Sequence, residues 1–311
     1  MKHIFIINPE AGKGKALTEI KPLIERSFSD FPNEKSEIYI TKAIGDGEVA
    51  AKRYCETKSE PFRIYACGGD GTLNEVANGI KGFKHAELGC IPVGTGNDFV
   101  RNFANKEFFS DIKKQIKGKA IAIDLMKCND RYSINMLNLG FDSNVAAEAS
   151  RLKKTTILSG FMAYIGGIFV VLKEKYGFKV SVKVDDMEEK NGEMLLCAIA
   201  NGGFCGGGFH SSLSASLDDG LMDAYLIHKI SKPKFLTLLP GYRTGKYIYA
   251  KAAQNCVEHF KCKKIHIKAQ EEFKLCNDGE IFNEKELDIS IEEDAVKFII
   301  PDGCALNEPT I

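Results

Sequence analysis

An apolar run, Phe62 to Cys67, leads directly into Gly68-Gly69-Asp70-Gly71-Thr72, and Leu73, Val76, Ala77 and Ile80 then recur at helical spacing. Strand, glycine turn and helix in so few residues make the repeating unit of a layered α/β fold. Glycines let the backbone turn sharply and approach a ligand closely. Their amides line a phosphate-sized concavity, and a helix N-terminus adds the positive end of its dipole. Thr72 and Glu75 have capping-box spacing, which predicts a helix start at Thr72. Asp70 is an odd choice for a plain turn and suits Mg²⁺ or a ribose hydroxyl.

A second loop repeats this logic. Ile91-Pro92-Val93-Gly94-Thr95-Gly96-Asn97-Asp98-Phe99 follows the strand Leu88 to Val93, and Asn97 or Asp98 can cap a short helix carrying Phe99 and Phe103. Two such loops at neighbouring strand ends can close around one nucleotide. A third loop, Asn8 to Lys15, follows the strand Ile4 to Ile7 and offers Lys13 and Lys15 to phosphate. No G-x-x-x-x-G-K-[ST] is present, and Leu17 stands where the dinucleotide fingerprint beginning at Gly12 needs glycine. With Ile38 to Ile40 as a strand and Val49 to Cys55 as a helix, the first third predicts a doubly wound α/β domain with helices on both faces.

The pattern changes after residue 120. Ile121 to Cys128 and Tyr132 to Leu139 flank a hairpin turn at Asn129-Asp130, and a helical region covers about Val145 to Lys175. Further strands are expected at 179–184, 194–200, 221–227, 264–268, 272–276, 287–291 and 296–300, with a polar turn ending at Asn191-Gly192. The expected domains are 1–122, α/β and nucleotide-binding, and 123–311, an antiparallel β-sandwich. The last strand, within 296–311, can equally rejoin the first domain.

Lys+Arg and Asp+Glu both number 42 in 311 residues, so no global field steers the chain to nucleic acid, and no polybasic tail marks a membrane anchor. The ten cysteines are scattered without a C-x-x-C pair, which reads as free thiols in a reducing cytosol. Met1 to Pro9 is too short and too interrupted for a signal peptide. Ile157 to Leu172 is the most apolar later stretch, but it is short and contains three glycines. It reads as a core or interfacial helix, so the chain is expected in the cytoplasm.

The ordered set Asn8-Pro9-x-x-Gly12, Gly68-Gly69-Asp70-Gly71-Thr72-x-Asn74-Glu75-Val76, Pro92-x-Gly94-Thr95-x-Asn97-Asp98-Phe99, Gly140-Phe141-Asp142, Asp219-Gly220-Leu221 and Asp278-Gly279-Glu280 resembles the diacylglycerol kinase catalytic family. The resemblance is to its soluble bacterial lipid kinases and spans essentially the whole chain. It implies an N-terminal domain of phosphofructokinase/NAD-kinase-like fold. ATP would be held there by Asn8, Gly12, Thr41, Gly68, Gly69, Asp70, Gly71, Thr72, Asn74, Thr95, Asn97 and Asp98. The lipid would enter between the domains, with Asp278 or Glu280 as general base. Asp219, with the carbonyls of Ser216 and Leu221, would form a Mg²⁺ site distinct from the metal carried by ATP. Carboxylate and carbonyl oxygens within one turn are what hard cations require. The substrate would be presented by a membrane, with peripheral contact at its inner face, and a homodimer is allowed. Diacylglycerol is the expected acceptor, other lipid alcohols remaining open. A soluble-substrate kinase such as NAD kinase, and a non-catalytic nucleotide-binding regulator on the same fold, are the alternatives. The Pro92 to Phe99 loop and Asp278-Gly279-Glu280 argue against the first, and the two carboxylates against the second.

Overall fold

All four residues from Ile4 to Ile7 are completely buried, and so is nearly every residue from Phe62 to Gly68, as a sheet covered on both faces demands. The computed structural model describes residues 1–155, 160–173, 176–251 and 253–310. The chain divides into two compact units: Met1–Leu125 with Glu293–Asn307, and Met126–Glu292 with Glu308–Ile311.

The first unit contains β1 (Lys2–Ile7), α1 (Ala16–Phe28), β2 (Lys35–Ile40), α2 (Asp46–Thr57), β3 (Phe62–Gly68), α3 (Asp70–Ile80), β4 (Ala86–Pro92) and α4 (Ile112–Lys117). The strands pair in parallel in the order β2-β1-β3-β4. The chain's last long strand, residues 280–300, adds itself parallel to β4 through Lys297↔Glu87 and Phe298↔Leu88. Strand order reverses between β1 and β3, the position at which open α/β sheets bind ligands. Phe5, Ile7, Tyr65, Cys67 and Ile91 pack beneath Ile20 and Ile24 of α1 and Ile112 and Ile116 of α4. Helix α3 packs on β3 and β4 and against α2.

His3, on β1, is 1% exposed, with Nδ1 2.9 Å from the Tyr65 hydroxyl and Nε2 3.4 Å from Glu34. Burial, helped by the charges of Arg63 and the N-terminus and opposed by Glu34, pushes its imidazole down to about 4. The native ring therefore stays neutral as pH falls from 6.5 towards 4, while the unfolded chain takes up a proton, so stability is lost across that window. Relative to a His3→Gln variant, the wild type should lose roughly 2–3 kcal/mol of extra stability between pH 7.5 and pH 4.5, measured by urea unfolding. Parallel pH dependences would refute this.

The second unit is antiparallel. It contains β5 (Lys119–Cys128, entering from the first unit), β6 (Arg131–Ser133), β7 (Met136–Gly140), α5 (Phe141–Thr155), α6 (Gly160–Val171), β8 (Phe178–Val184) and β9 (Lys190–Ala200). After these come β10 (Met222–His228), α7 (Lys232–Tyr242), β11 (Val257–Cys262), β12 (Lys264–Asn277) and β13 (Glu280–Ile300), whose final residues belong to the first unit. The strand order is β11-β10-β9-β7-β12-β13, with β8 pairing β9 and β12. Alternation sorts the two faces. Cys197 and Ile199 join Leu137, Leu139, Ile267 and Leu287 on one side. Leu196, Ala198 and Tyr225 meet Val145 of α5 and Ala163 and Ile168 of α6 on the other.

Several expected boundaries shift. The expected strand Tyr132 to Leu139 is interrupted at 134–135, because successive backbone amides there turn towards Asp278. Asn191-Gly192 lies inside β9, paired with Ser181 and Val180, and the turn precedes it. The strands expected at 264–268 and 272–276 are one strand with an irregularity between Lys268 and Phe273. Residues 156–159 and 174–175 of the expected helical stretch lie outside the described residues. In α6, Ala163 and Val171 are buried, whereas Met162 and Phe169 are exposed. Among the described residues, no helix is long and apolar enough to cross a membrane. All ten cysteines are free thiols, nine of them buried.

Candidate active site

The loops after β1, β3 and β4 leave the same edge of the parallel sheet, since Ile7 pairs with Cys67 and Gly68 with Pro92. Asn8 is fixed there by its amide to Cys67 O (3.0 Å), and its side chain donates to Thr72 Oγ1 (3.1 Å). Thr41, at the end of β2, donates its amide to Ile7 O (3.0 Å) and is buried. Gly12, at φ 63°, backs onto Val93, whose Cγ1 would lie 3.0 Å from a Cβ there.

The two glycine loops touch backbone to backbone. Val93 N and Gly94 N both donate to Gly68 O, at 2.8 and 3.2 Å. A Cβ on Gly94 would sit 2.6 Å from Gly69 Cα, and one on Gly68 would collide with Thr72. Gly94→Ala must therefore force the loops apart. The expected result is ATP binding weakened by one to two orders of magnitude, the equivalent of roughly 1–3 kcal/mol of overpacking. Calorimetric titration that returns wild-type affinity would contradict this packing.

Asp70, expected as a Mg²⁺ or ribose ligand, has one carboxylate oxygen engaged within the protein. Its Oδ1 accepts from Phe99 N (3.1 Å), and Oδ2 would lie 3.1 Å from a Cβ on Gly96. Burial pushes its carboxyl up, while the backbone N–H groups of Phe99, Asp98, Asp70 and Asn97 pull it down, and burial prevails. Asp70 thus ties the first glycine loop to the second. It also replaces the expected cap: neither Asn97 nor Asp98 caps the turn Phe99–Asn102 by side chain. Asn97 instead donates to Gly94 O (2.8 Å), and Asp98 lies 3.3 Å from Arg101 Nε.

The expected capping box is absent. Helix α3 begins at Asp70 with Gly69 as N-cap, earlier than the Thr72 spacing suggests. Glu75 reaches away to the N-terminus of α2, accepting from Gly45 N (2.9 Å) and Gly47 N (3.0 Å). Asn74 is buried on α3, Gly71 is half-buried in its first turn, and Thr95 is exposed on the second loop. The loop with Lys13 and Lys15 stays solvated at the end of β1.

The second unit holds the remaining expected residues. Asn277-Asp278-Gly279-Glu280 is the tight hairpin turn between β12 and β13, with φ of 46° at Asp278 and 95° at Gly279. Both oxygens of Asp278 are committed. Oδ1 accepts from Met136 N (2.8 Å) and Asn135 N (3.2 Å), and Oδ2 from Ile134 N (2.8 Å) and Ser133 Oγ (2.9 Å). The same 133–136 loop is gripped from its other side, where Asn201 N and Gly202 N each donate to Asn135 O at 2.9 Å. This accounts for part of the Asn201-Gly202-Gly203 glycine cluster. Glu280 lies partly exposed at the first position of β13. Asp142, in the first turn of α5, is buried 3.3 Å from the Tyr164 hydroxyl.

The turn expected to hold Mg²⁺ makes contacts of its own. Asp219 Oδ1 accepts from Leu221 N (3.1 Å), and Oδ2 accepts from Lys261 Nζ (2.7 Å). Ser216 Oγ turns to Asp218 (2.7 Å). With Asp219 bound to an ammonium and Asp218 to Ser216 Oγ, the turn's carboxylates are engaged and do not fit a divalent cation as they stand. Among the described residues, no three His, Cys, Asp or Glu groups converge as a metal site. A cavity of about 630 Å³ in this unit, lined by Lys179, Lys268 and Lys285, involves none of the expected site residues.

Ser133, Asn135 and Lys261 are participants that sequence reading missed. None stands in a glycine-rich or acidic motif, and their roles depend on strand register.

The chain thus combines a parallel sheet, whose two interlocked glycine loops follow the adjacent strands β3 and β4 beside the switch point, with an antiparallel sandwich that buries an acidic hairpin, a layout suited to holding a phosphate ligand on the first sheet. Residues 2–128 match the model of the diacylglycerol kinase catalytic domain, and residues 135–300 match that of the YegS C-terminal NAD kinase beta sandwich-like domain. A diacylglycerol kinase of Staphylococcus epidermidis is 30% identical over 96% of this chain and 97% of its own length. The Yersinia enterocolitica protein named "Probable lipid kinase YegS-like" is also 30% identical, over 98% and 99%. The crystal structure of a diacylglycerol kinase from Bacillus anthracis str. Sterne superimposes with a TM-score of 0.67 over 97% of each chain at 23% identity. The chain belongs to the bacterial diacylglycerol kinase and YegS-like lipid kinase family.

Proposed function

We propose that this protein transfers the γ-phosphate of ATP to the hydroxyl of a lipid alcohol, with diacylglycerol as acceptor and phosphatidic acid as product. The observation that carries this reading is the backbone contact between the Gly68–Thr72 and Gly94–Asn97 loops at adjacent strand ends. Phosphoryl transfer asks a protein mainly to position donor and acceptor and to neutralise charge. The amides of the first loop and the N-terminus of α3 suit the ATP phosphates. Asn8, Gly12, Thr41, Asn74 and Thr95 border the same sheet edge, and Asp70, Asn97 and Asp98 shape it. Mg²⁺ enters with ATP and shields its phosphate charge.

Glu280 is the general base in this reading. A proton on either oxygen of Asp278 would face the two donors that oxygen already accepts from, so its role is to position the 133–136 loop and the hairpin that carries Glu280. The enzyme works in the cytoplasm and meets its lipid at the membrane surface.

A lipid panel tests the assignment. Purified protein with labelled ATP should phosphorylate diacylglycerol in mixed micelles in preference to ceramide, sphingosine or undecaprenol, and should leave NAD untouched. Transfer to NAD alone would replace this reading with a soluble-substrate kinase.

A further inference from the structure

Strands β10 and β11 pair Asp223 with Lys261 and Tyr225 with His259. Asp223 is 1% exposed. Its Oδ1 accepts from Ser214 Oγ and lies 2.6 Å from His259 Nε2, and the His259 ring stacks on Tyr225 at 4.4 Å. Its other oxygen, Oδ2, is buried without a hydrogen-bond donor, and Lys261 Nζ stands 3.8 Å from it. The same ammonium lies 2.7 Å from Asp219 Oδ2. One lysine thus serves two carboxylates, one on the turn before β10 and one inside the strand.

A divalent cation on Asp219 would have to displace that ammonium or share a carboxylate with it, and like charges so close repel strongly. Magnesium also demands near-octahedral oxygen ligands and gives up its waters reluctantly. Here the turn's two carboxylates are both engaged, Asp219 by Lys261 and Asp218 by Ser216 Oγ. We propose that Lys261 is the resident cation of this turn: its ammonium takes the place of the second-domain Mg²⁺ that the family resemblance implies. The turn and the start of β10 then hold their shape without a divalent metal. This assignment concerns the second unit's own charges and stands apart from the kinase reading.

The test uses the full chain without ATP, stripped with chelator, so that its failure is separable from failure of the kinase reading. Thermal unfolding is followed while MgCl₂ is added at constant ionic strength, and Tb³⁺ luminescence reports direct occupancy. The wild type should show a Tm constant to within about 1 °C, because a ligand that does not bind the native state cannot shift it. It should also show no Tb³⁺ signal that Asp219→Asn removes. Lys261→Met should lower Tm by roughly 3–6 °C, whereas Lys261→Arg should stay close to wild type. A saturable magnesium stabilisation of the wild type that Asp219→Asn abolishes would overturn the proposal, as would an unchanged Tm in Lys261→Met. Should Lys261→Met fail to fold, the wild-type titration against Asp219→Asn decides alone.

Discussion

Glu280→Gln should lower kcat for lipid phosphorylation by roughly 10²–10⁴-fold, the usual contribution of a positioned general base. The glutamine keeps the size of the side chain and loses the proton acceptor. Glu280 lies outside the glycine loops of the first unit, so ATP affinity should be unchanged. The residue is partly exposed at the start of β13, so Tm should hardly move. A loss confined to kcat is the signature of an interaction made in the transition state. If Glu280→Gln retained wild-type kcat, the base would have to be sought elsewhere, with Asp278 next in line.

Asp278→Asn should fail differently. Replacing one carboxylate oxygen with an amide NH₂ turns a donor against the amides of Ile134 or Met136, whichever way the group is flipped. Buried donors deprived of a charged acceptor cost roughly 2–4 kcal/mol in total. For a chain of this size that is a Tm fall of roughly 5–10 °C. Activity should fall with it, because the hairpin that carries Glu280 loses its anchor. The residual activity should keep the acidic limb of the kcat–pH profile, which Glu280→Gln should lose. An Asp278→Asn variant with wild-type Tm and no turnover would instead make Asp278 the base.

The two residues stand two positions apart in Asp278-Gly279-Glu280, and the sequence offers no means to rank them. What separates them is register. The break between β6 and β7 brings three successive amides onto Asp278, and those amides lie more than 140 residues away in the chain. The same limit explains Glu75. Its spacing from Thr72 is that of a capping box, but the packing of α2 on α3 offers it the amides of Gly45 and Gly47, and Gly69 already caps the helix. Asp70 is conspicuous as a carboxylate among glycines, but its hold on Phe99 N is not local, because that amide belongs to the loop after the next strand.

Other features were legible because they are local. Unbroken apolar runs at Ile4–Ile7 and Phe62–Cys67 declared strands buried on both faces, and the glycines at 68, 69 and 94 marked where two backbones meet. Alternation in the second half declared an antiparallel sandwich but blurred its strand ends, as at β12, where a local irregularity made one strand read as two. Lys261 carried no signal at all, since a lysine in a strand is ordinary until the opposite strand places Asp223 beside it.

The most direct test of the kinase reading follows transfer of label from [γ-³²P]ATP to diacylglycerol in mixed micelles, with Glu280→Gln assayed beside the wild type. The account predicts labelled phosphatidic acid from the wild type and almost none from the variant at equal ATP occupancy. ATP binding without label in any lipid, or equal label from both proteins, would contradict it.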